Sequence, residues 1–178
     1  MKTRLLTRQR QKGFSLIEVL VSVVIMSVGI LGVAGLQVLS LQQNRSSLLR
    51  AEALMLGGDI LDRMRANPLQ NYAGLGFNAA PALPRDCVAA TCNAAQMRGY
   101  DIALWRCSIN DLNAALNRYP ACIALGVTGT LPGGQGAIVN AASALCAVQP
   151  GETCVIVRWI DDPSQGTFTS VTLRTRTN

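Results

Sequence analysis

Residues 13–20 read Gly13-Phe14-Ser15-Leu16-Ile17-Glu18-Val19-Leu20, and the chain continues as VSVVIMSVGILGVAG to Leu36. From Phe14 to Leu36 there are 23 residues and one charged side chain, Glu18. A helix of that length rises about 35 Å, enough to cross a hydrocarbon core of about 30 Å. Residues 1–13 hold Lys2, Arg4, Arg8, Arg10 and Lys12 and no acid. A basic flank abutting an apolar run marks the cytoplasmic side of a membrane segment. A cleaved secretory signal is the main competitor, with Gly32, Ala34 and Gly35 imitating its cleavage site. Its apolar core is usually about 7–15 residues long, and an acid near the start of that core obstructs insertion.

The overall charge misleads until it is located. The 178 residues carry 16 Lys and Arg, 10 Asp and Glu and no His, a net of +6. Five of the basic residues lie in the first 13 positions, leaving 11 basic against 10 acidic side chains beyond. The basic character therefore belongs to the N-terminus, and a nucleic-acid partner is not expected. The absence of histidine excludes a Ser-His-Asp triad, a Cys-His nucleophile pair and His-ligated zinc or haem. With 49% hydrophobic and 15% charged residues the chain is not of the disordered class.

Glu18 needs a physical reason, since an unpaired carboxylate in a membrane segment costs roughly 2.5–3.5 kcal/mol. Cleavage after Gly13 would create an α-amine on Phe14, a cation at the same depth. Residues 14 and 18 are i and i+4 within one helix. Between neighbouring helices, Glu18 of one subunit would pair with the amine of the next and set the register of an assembly.

The stretch Lys12-Gly13-Phe14-Ser15-Leu16-Ile17-Glu18-Val19-Leu20 resembles the signal of type IV prepilins and type II secretion pseudopilins. The resemblance implies that a membrane prepilin peptidase removes a leader, residues 1–13, by cutting between Gly13 and Phe14. It implies N-methylation of Phe14 and a role for Glu18, then the fifth residue, in filament assembly. One departure is Gly35, where major pilins commonly carry proline. Here Gly29, Gly32 and Gly35 supply bendability, since each costs up to about 1 kcal/mol in a helix relative to alanine. Small-residue helix packing in the membrane is an equally open reading.

Beyond residue 36 the helix is expected to continue, because no proline occurs before Pro68. Leu49, Ala53, Leu56, Ile60 and Met64 mark one apolar face over residues 37–67. Asp59 and Arg63, and Asp62 and Arg65, are spaced as helical ion pairs. Gly57-Gly58 is a candidate kink, and Asn67-Pro68 a stop. A helix from 14 to about 66 needs a partner for its second half.

The run Asp59-Ile60-Leu61-Asp62-Arg63-Met64-Arg65-Ala66-Asn67-Pro68 is similar to PilV-type minor pilins, as are residues 92–105, Leu131–Gly136 and Arg158–Asp162. This implies the pilin fold: α+β, a long N-terminal helix packed on a C-terminal antiparallel sheet, with residues 68–178 as a globular head. Residues 69–91 read as loop. Residues 93–118 read as two short helices broken around Cys107. The second would be capped by Ser108 or Asn110, with Asp111 in its first turn and Leu112, Ala115, Leu116 and Tyr119 as its stripe. Gly133, Gly134 and Gly136 read as a turn rather than a phosphate loop, because no Lys-Ser/Thr pattern follows. Residues 136–142, 153–160 and 167–176 read as strands. Val155, Val157 and Trp159 would share one face, and residues 162–166 form a hairpin-type connection.

Cys87, Cys92, Cys107, Cys122, Cys146 and Cys154 all follow the membrane segment, on the side the charge rule makes periplasmic, where disulfides form. Six cysteines leave many connectivities open. Local pairing joins Cys87 to Cys92, Cys107 to Cys122 and Cys146 to Cys154. Without histidine or a CxxC pattern, no metal is expected, and no cofactor.

The resemblance implies a minor pilin that joins other minor pilins and the major pilin in a complex priming pilus assembly at or near the tip. Its further partners would be the prepilin peptidase, the inner-membrane assembly platform and a tip adhesin. The protein would sit in the inner membrane of a Gram-negative bacterium, with a periplasmic head, before entering the surface pilus. Glu18 implies a subunit above it, so the terminal position is not expected. The alternative is an I-type minor pseudopilin of type II secretion. A DNA-uptake pilin would need a basic head, for which Arg158, Arg174 and Arg176 are the candidates against a plain solvated strand face. An enzyme is not expected: adjacent Asp161 and Asp162 point oppositely in a strand, and Trp105 and Trp159 read as core.

Overall fold

The structure, a computed structural model, describes residues 13–140, 146, 147, 149 and 151–176. The basic cluster from Lys2 to Lys12 lies outside the described residues. The chain divides into two compact units, Met1–Asn44 and Arg45–Asn178. Its elements are helices α1 (Leu16–Ala66), α2 (Ala94–Ile109) and α3 (Pro120–Leu125), followed by strands β1 (Gln135–Val139), β2 (Glu152–Ile160) and β3 (Phe168–Arg176). The class is α+β.

Helix α1 has 51 residues and is about 77 Å long. In its second half Leu49, Ala53, Gly57, Ile60, Leu61 and Met64 are buried, and Leu56 is partly so. Arg63 Nε lies 2.8 Å from Asp59 Oδ2, and Arg65 Nη1 2.7 Å from Asp62 Oδ1. These arginines also sit in the last turn, where the helix dipole favours cations. The helix stops before Pro68, with Asn67 N–H donating to the Arg63 carbonyl at 3.1 Å. The helix runs unbroken through Gly57-Gly58. Gly57 serves a different purpose: a Cβ there would stand 2.5 Å from Leu173 Cδ1. Its lack of a side chain lets β3 approach the helix.

The sheet is antiparallel in the order β1-β2-β3. β1 pairs β2 through Ile138↔Val155, and β2 pairs β3 through Val157↔Val171 and Ile160↔Phe168. The first strand ends at Val139, earlier than expected, and residues 141 and 142 lie outside the described residues. Central β2 is covered on both faces. Val155, Val157 and Trp159 join the core with α1, while Cys154 and Ile156 pack with Cys146, Phe77 and Val139. β3 alternates, with Val171 buried and Leu173 half-buried toward α1. The β2–β3 connection closes on the Asp162 carbonyl, which accepts from Gln165 and Gly166, and Gly166 takes φ 61°.

The region after residue 92 departs from expectation. Instead of two helices broken at Cys107, α2 runs through it. A capping box opens α2: Asn93 Oδ1 accepts from Gln96 N at 2.9 Å and Gln96 Oε1 from Asn93 N at 3.0 Å. Asn110 is the C-cap rather than an N-cap. The segment carrying Leu112, Ala115, Leu116 and Tyr119 is a loop, with Leu116 at φ 61°. Short polar side chains there capture backbone donors a helix would need. Asn113 Oδ1 accepts from Ala115 N and Asn117 N, and Asn110 Oδ1 from Leu112 N. Asp111 is buried and accepts from Gly129 N at 3.1 Å and Arg118 Nε at 2.6 Å. Burial alone would raise its pKa. The Gly129 amide and the Arg118 guanidinium outweigh burial and hold the carboxyl below the usual range.

Three disulfides are formed: Cys87–Cys92, Cys107–Cys122 and Cys146–Cys154, with sequence separations of 5, 15 and 8. The second joins α2 to α3. In the chain-entropy account a closure of about 15 residues is worth roughly 3 kcal/mol. Trp105 and Trp159 are both fully buried, and Trp105 Nε1 donates to the Leu56 carbonyl at 2.8 Å. Gly136 makes room for Trp105: a Cβ there would lie 2.5 Å from Trp105 Cη2.

Two glycine replacements should therefore act in opposite directions. Gly136→Ala is expected to destabilise by about 1–3 kcal/mol through overpacking. Gly58→Ala, whose Cβ meets open space, is expected to be neutral or stabilising by up to about 1 kcal/mol. Urea unfolding of the full chain in detergent micelles, followed by tryptophan fluorescence, measures both.

Candidate assembly site

Gly13, Phe14 and Ser15 precede the first turn of α1, and all three are exposed. The Ser15 carbonyl accepts from Glu18 N at 3.1 Å and Val19 N at 3.3 Å, opening the helix. Phe14 and Glu18 therefore do not share a helical face in the unprocessed chain. A Cβ on Gly13 meets nothing within 4 Å and its backbone is not left-handed, so the fold itself does not require glycine there. Glu18 lies in the first turn, where the dipole favours a carboxylate, and has no ion partner among the described residues.

Every described residue from Gly13 to Arg45 is exposed. Leu16 is 91% and Leu31 72% accessible, as no apolar side chain would be if the chain covered it. The segment is the one described helix long and apolar enough to cross a membrane by length and composition. Its serines suit an apolar setting: Ser22 Oγ donates to the Glu18 carbonyl at 2.6 Å and Ser27 Oγ to the Val24 carbonyl at 2.8 Å. Gly29, Gly32 and Gly35 interrupt neither the helix nor any internal contact, and a Cβ on each would meet open space.

Residues 8–34 match the prokaryotic N-terminal methylation motif, and residues 35–103 match the family model of type IV pilin Tt1218. The chain is a type IV prepilin-like protein. No curated protein and no solved structure matches it. The two matches adjoin at residue 35, in the middle of α1, and together end within α2. The sheet of this prepilin-like chain lies beyond them. The family is structural rather than enzymatic.

The prepilin head has no free arginine triad. Arg158 is sandwiched between the rings of Phe77 and Phe168, at 3.7 and 4.3 Å from their centroids, and donates to Gln135 Oε1. Burial lowers its pKa from the ordinary value. Arg174 and Arg176 lie on the exposed face of β3, and Arg176 is 4.0 Å from Glu152. Asp161 accepts from Ser46 Oγ at 2.7 Å, while Asp162 Oδ1 caps its own turn through Ser164 N and Oγ. The six cysteines are all in disulfides.

Two devices in the head carry little signal in the sequence. Arg106 Nη1 and Nη2 donate to the carbonyls of Gly76, Phe77, Ala79 and Gly136, holding the 76–79 loop against β1. Burial lowers its pKa. The available signal was an arginine with no acid three or four residues away. The second device ends α1. Buried Asp101 accepts from Arg63 Nη1 at 3.0 Å and from Tyr72 Oη at 2.7 Å, and Asn67 Nδ2 donates to Tyr72 Oη.

Burial and the Asp101 carboxylate push the Tyr72 phenol up to about 12. The folded value is raised above about 10, the unfolded one. Its contribution to stability is thus complete below about pH 10 and lost as pH rises toward 12. Phenolate absorbance should show a titration near pH 12 that Tyr72→Phe removes. Asp101→Asn, which withdraws the acceptor charge, is expected to destabilise by about 1–3 kcal/mol in urea unfolding.

Proposed function

We propose that this chain is a PilV-type minor pilin of a type IV pilus. In this reading the prepilin peptidase removes residues 1–13, and Phe14 becomes the N-methylated first residue. Residues 14–36 anchor the subunit in the inner membrane, with the head in the periplasm of a Gram-negative cell. Residues 37–67 carry the helix into the head, and residues 68–178 complete that head. The same apolar helix then leaves the lipid for the filament core. Glu18 pairs there with the α-amine of a neighbouring subunit, and the subunit joins other minor pilins in priming assembly at or near the tip.

The supporting observation is an apolar helix that its own chain does not bury, carrying a single acid one turn after Gly13-Phe14. Lipid can cover such a helix before assembly, and other apolar helices after it. A lone carboxylate is tolerable in lipid only near the surface or paired. In a filament it fixes which axial register is allowed, because every other register leaves two unpaired charges in an apolar core.

Glu18→Ala is expected to lower the amount of the subunit in sheared pili by roughly tenfold or more, with membrane levels of the processed protein preserved. Incorporation at normal levels would remove the pairing from the account. Deletion separates the pilus from a type II secretion role: lost surface pili and twitching are expected, with exoprotein secretion intact.

A further inference from the structure

The two edges of the sheet are finished differently. At the β1 edge, Ile138 N donates to the Leu75 carbonyl at 2.9 Å, and the Ile138 carbonyl accepts from Gly74 N and Leu75 N at 3.0 and 3.1 Å. The Gly136 carbonyl accepts from Arg106 Nη1. The chain's own loop and an arginine therefore close that edge.

The same bonds fix which groups face outward at the β3 edge. Ile138 points away from β2, so Gln135, Ala137 and Val139 bond to their partners Arg158, Ile156 and Cys154. The β2 residues between these, Thr153, Val155, Val157 and Trp159, then bond to Thr175, Leu173, Val171 and Thr169 of β3. Phe168, Ser170, Thr172, Arg174 and Arg176 are left with backbone groups directed away from the sheet. No backbone hydrogen bond joins those groups to another described residue.

β3 lacks the devices that blunt such an edge. It is 9 residues long and contains no proline. It pairs one-for-one with β2, without a bulge. The residues on its α1-facing side, Thr169, Val171, Leu173 and Thr175, are all uncharged. Its charges, Arg174 and Arg176, lie on the opposite, exposed face, and the strand has no acid. Arg174 has no ion partner among the described residues, and Arg176 reaches Glu152 only at 4.0 Å.

An open edge is satisfied by one class of ligand, another extended backbone. The side chains select its chemistry. A second copy of β3 would add two more arginines and no acid, so self-pairing leaves the charge uncompensated. A strand with acids two residues apart compensates both arginines across the pair. On the other face an added strand extends the row of Val171 and Leu173. Leu54, one turn before Gly57 on the helix face that meets Leu173, remains 45% accessible. We propose that β3 takes up an extended acidic segment of a partner protein as a further antiparallel strand, with acids opposite Arg174 and Arg176 and an apolar residue opposite Leu173. This contact lies in the head and is independent of the pairing proposed for Glu18.

The test uses the full chain in detergent micelles and a blocked peptide, glutamate-threonine-glutamate-valine-threonine-valine-threonine, followed by amide hydrogen exchange in NMR spectra. Exchange should slow roughly tenfold or more at Ser170, Thr172 and Arg174, whose N–H groups point outward, and change little at Val171 and Leu173, already bonded to β2. Arg174→Glu should weaken binding about tenfold, and a peptide with lysines for the glutamates should prefer that variant to the parent chain. Thr172→Pro removes an outward N–H without touching the bonds to β2 and should abolish binding. Arg174 is exposed, so its replacement keeps the comparison valid even where the proline lowers stability. Equal binding of the glutamate and lysine peptides to the parent chain, protection centred away from β3, or binding unchanged by both variants would each overturn the proposal. So would concentration-dependent protection of the same amides without peptide, which would make a second copy the occupant.

Discussion

A single carboxylate on an apolar helix that the chain leaves uncovered governs the first unit of this molecule. The helix from Leu16 onward has good reason to form, since its backbone bonds are internal and it lacks proline. It has no reason to remain in water, since among the described residues nothing shields Leu16, Ile25 or Leu31. Membrane insertion answers the second demand and sets a new one, because Glu18 then sits where charge is expensive. In the proposed reading, the α-amine of a processed neighbour supplies a cation of matching depth. On that proposal, three requirements that look separate become one: a cleavable leader, an apolar stem and an acid near its start.

The second unit answers a different constraint, the close approach of helix to sheet. Gly57 opens the helix to Leu173, and Gly136 opens β1 to Trp105. Trp105 then spends its indole N–H on the Leu56 carbonyl. Where the chain leaves regular structure, arginines and disulfides replace packing. Arg106 gathers four loop and strand carbonyls, Arg118 neutralises buried Asp111, and Cys107–Cys122 ties α2 to the short α3. A head with long loops depends on such point attachments, because its main apolar core gathers on the elements that face α1 and a smaller cluster of Cys146, Cys154 and Ile156 covers the other face of β2.

Legibility followed the periodicity of the residues. The stripe from Leu49 to Met64 and the alternation of Val155, Val157 and Trp159 announced a helix and a central strand whose buried faces meet. Asn67-Pro68 announced the stop. The reading failed where short polar side chains decide local structure. Ser108 and Asn110 looked like N-caps. Asn110 instead ends a helix opened by the Asn93–Gln96 box, whose Asn-x-x-Gln pattern is present in the sequence itself. Asp111 looked like a first-turn acid, but Arg118 and Gly129 draw it inward, and that pairing depends on a loop conformation no periodicity encodes. The same holds for Arg158, whose exposure in a strand pattern suggested solvent and whose rings come from remote Phe77 and Phe168. At the N-terminus the motif outran the geometry: Gly13, Phe14 and Glu18 stand out in the sequence, while this chain's own contacts give the Glu18 carboxylate no ion partner among the described residues, and the proposed function assigns all three to processing and to neighbours.

The mass of the mature N-terminus is the most direct check on that meaning. After Lys12 the sequence contains no lysine, so a processed chain keeps its α-amine as the one group that amine chemistry can report. Purified from cells, the protein should begin at Phe14, carry one added methyl group on that amine, and have lost every lysine. A protein that retains Met1, or one that begins near Gln37 after removal of the whole apolar helix, would contradict the account.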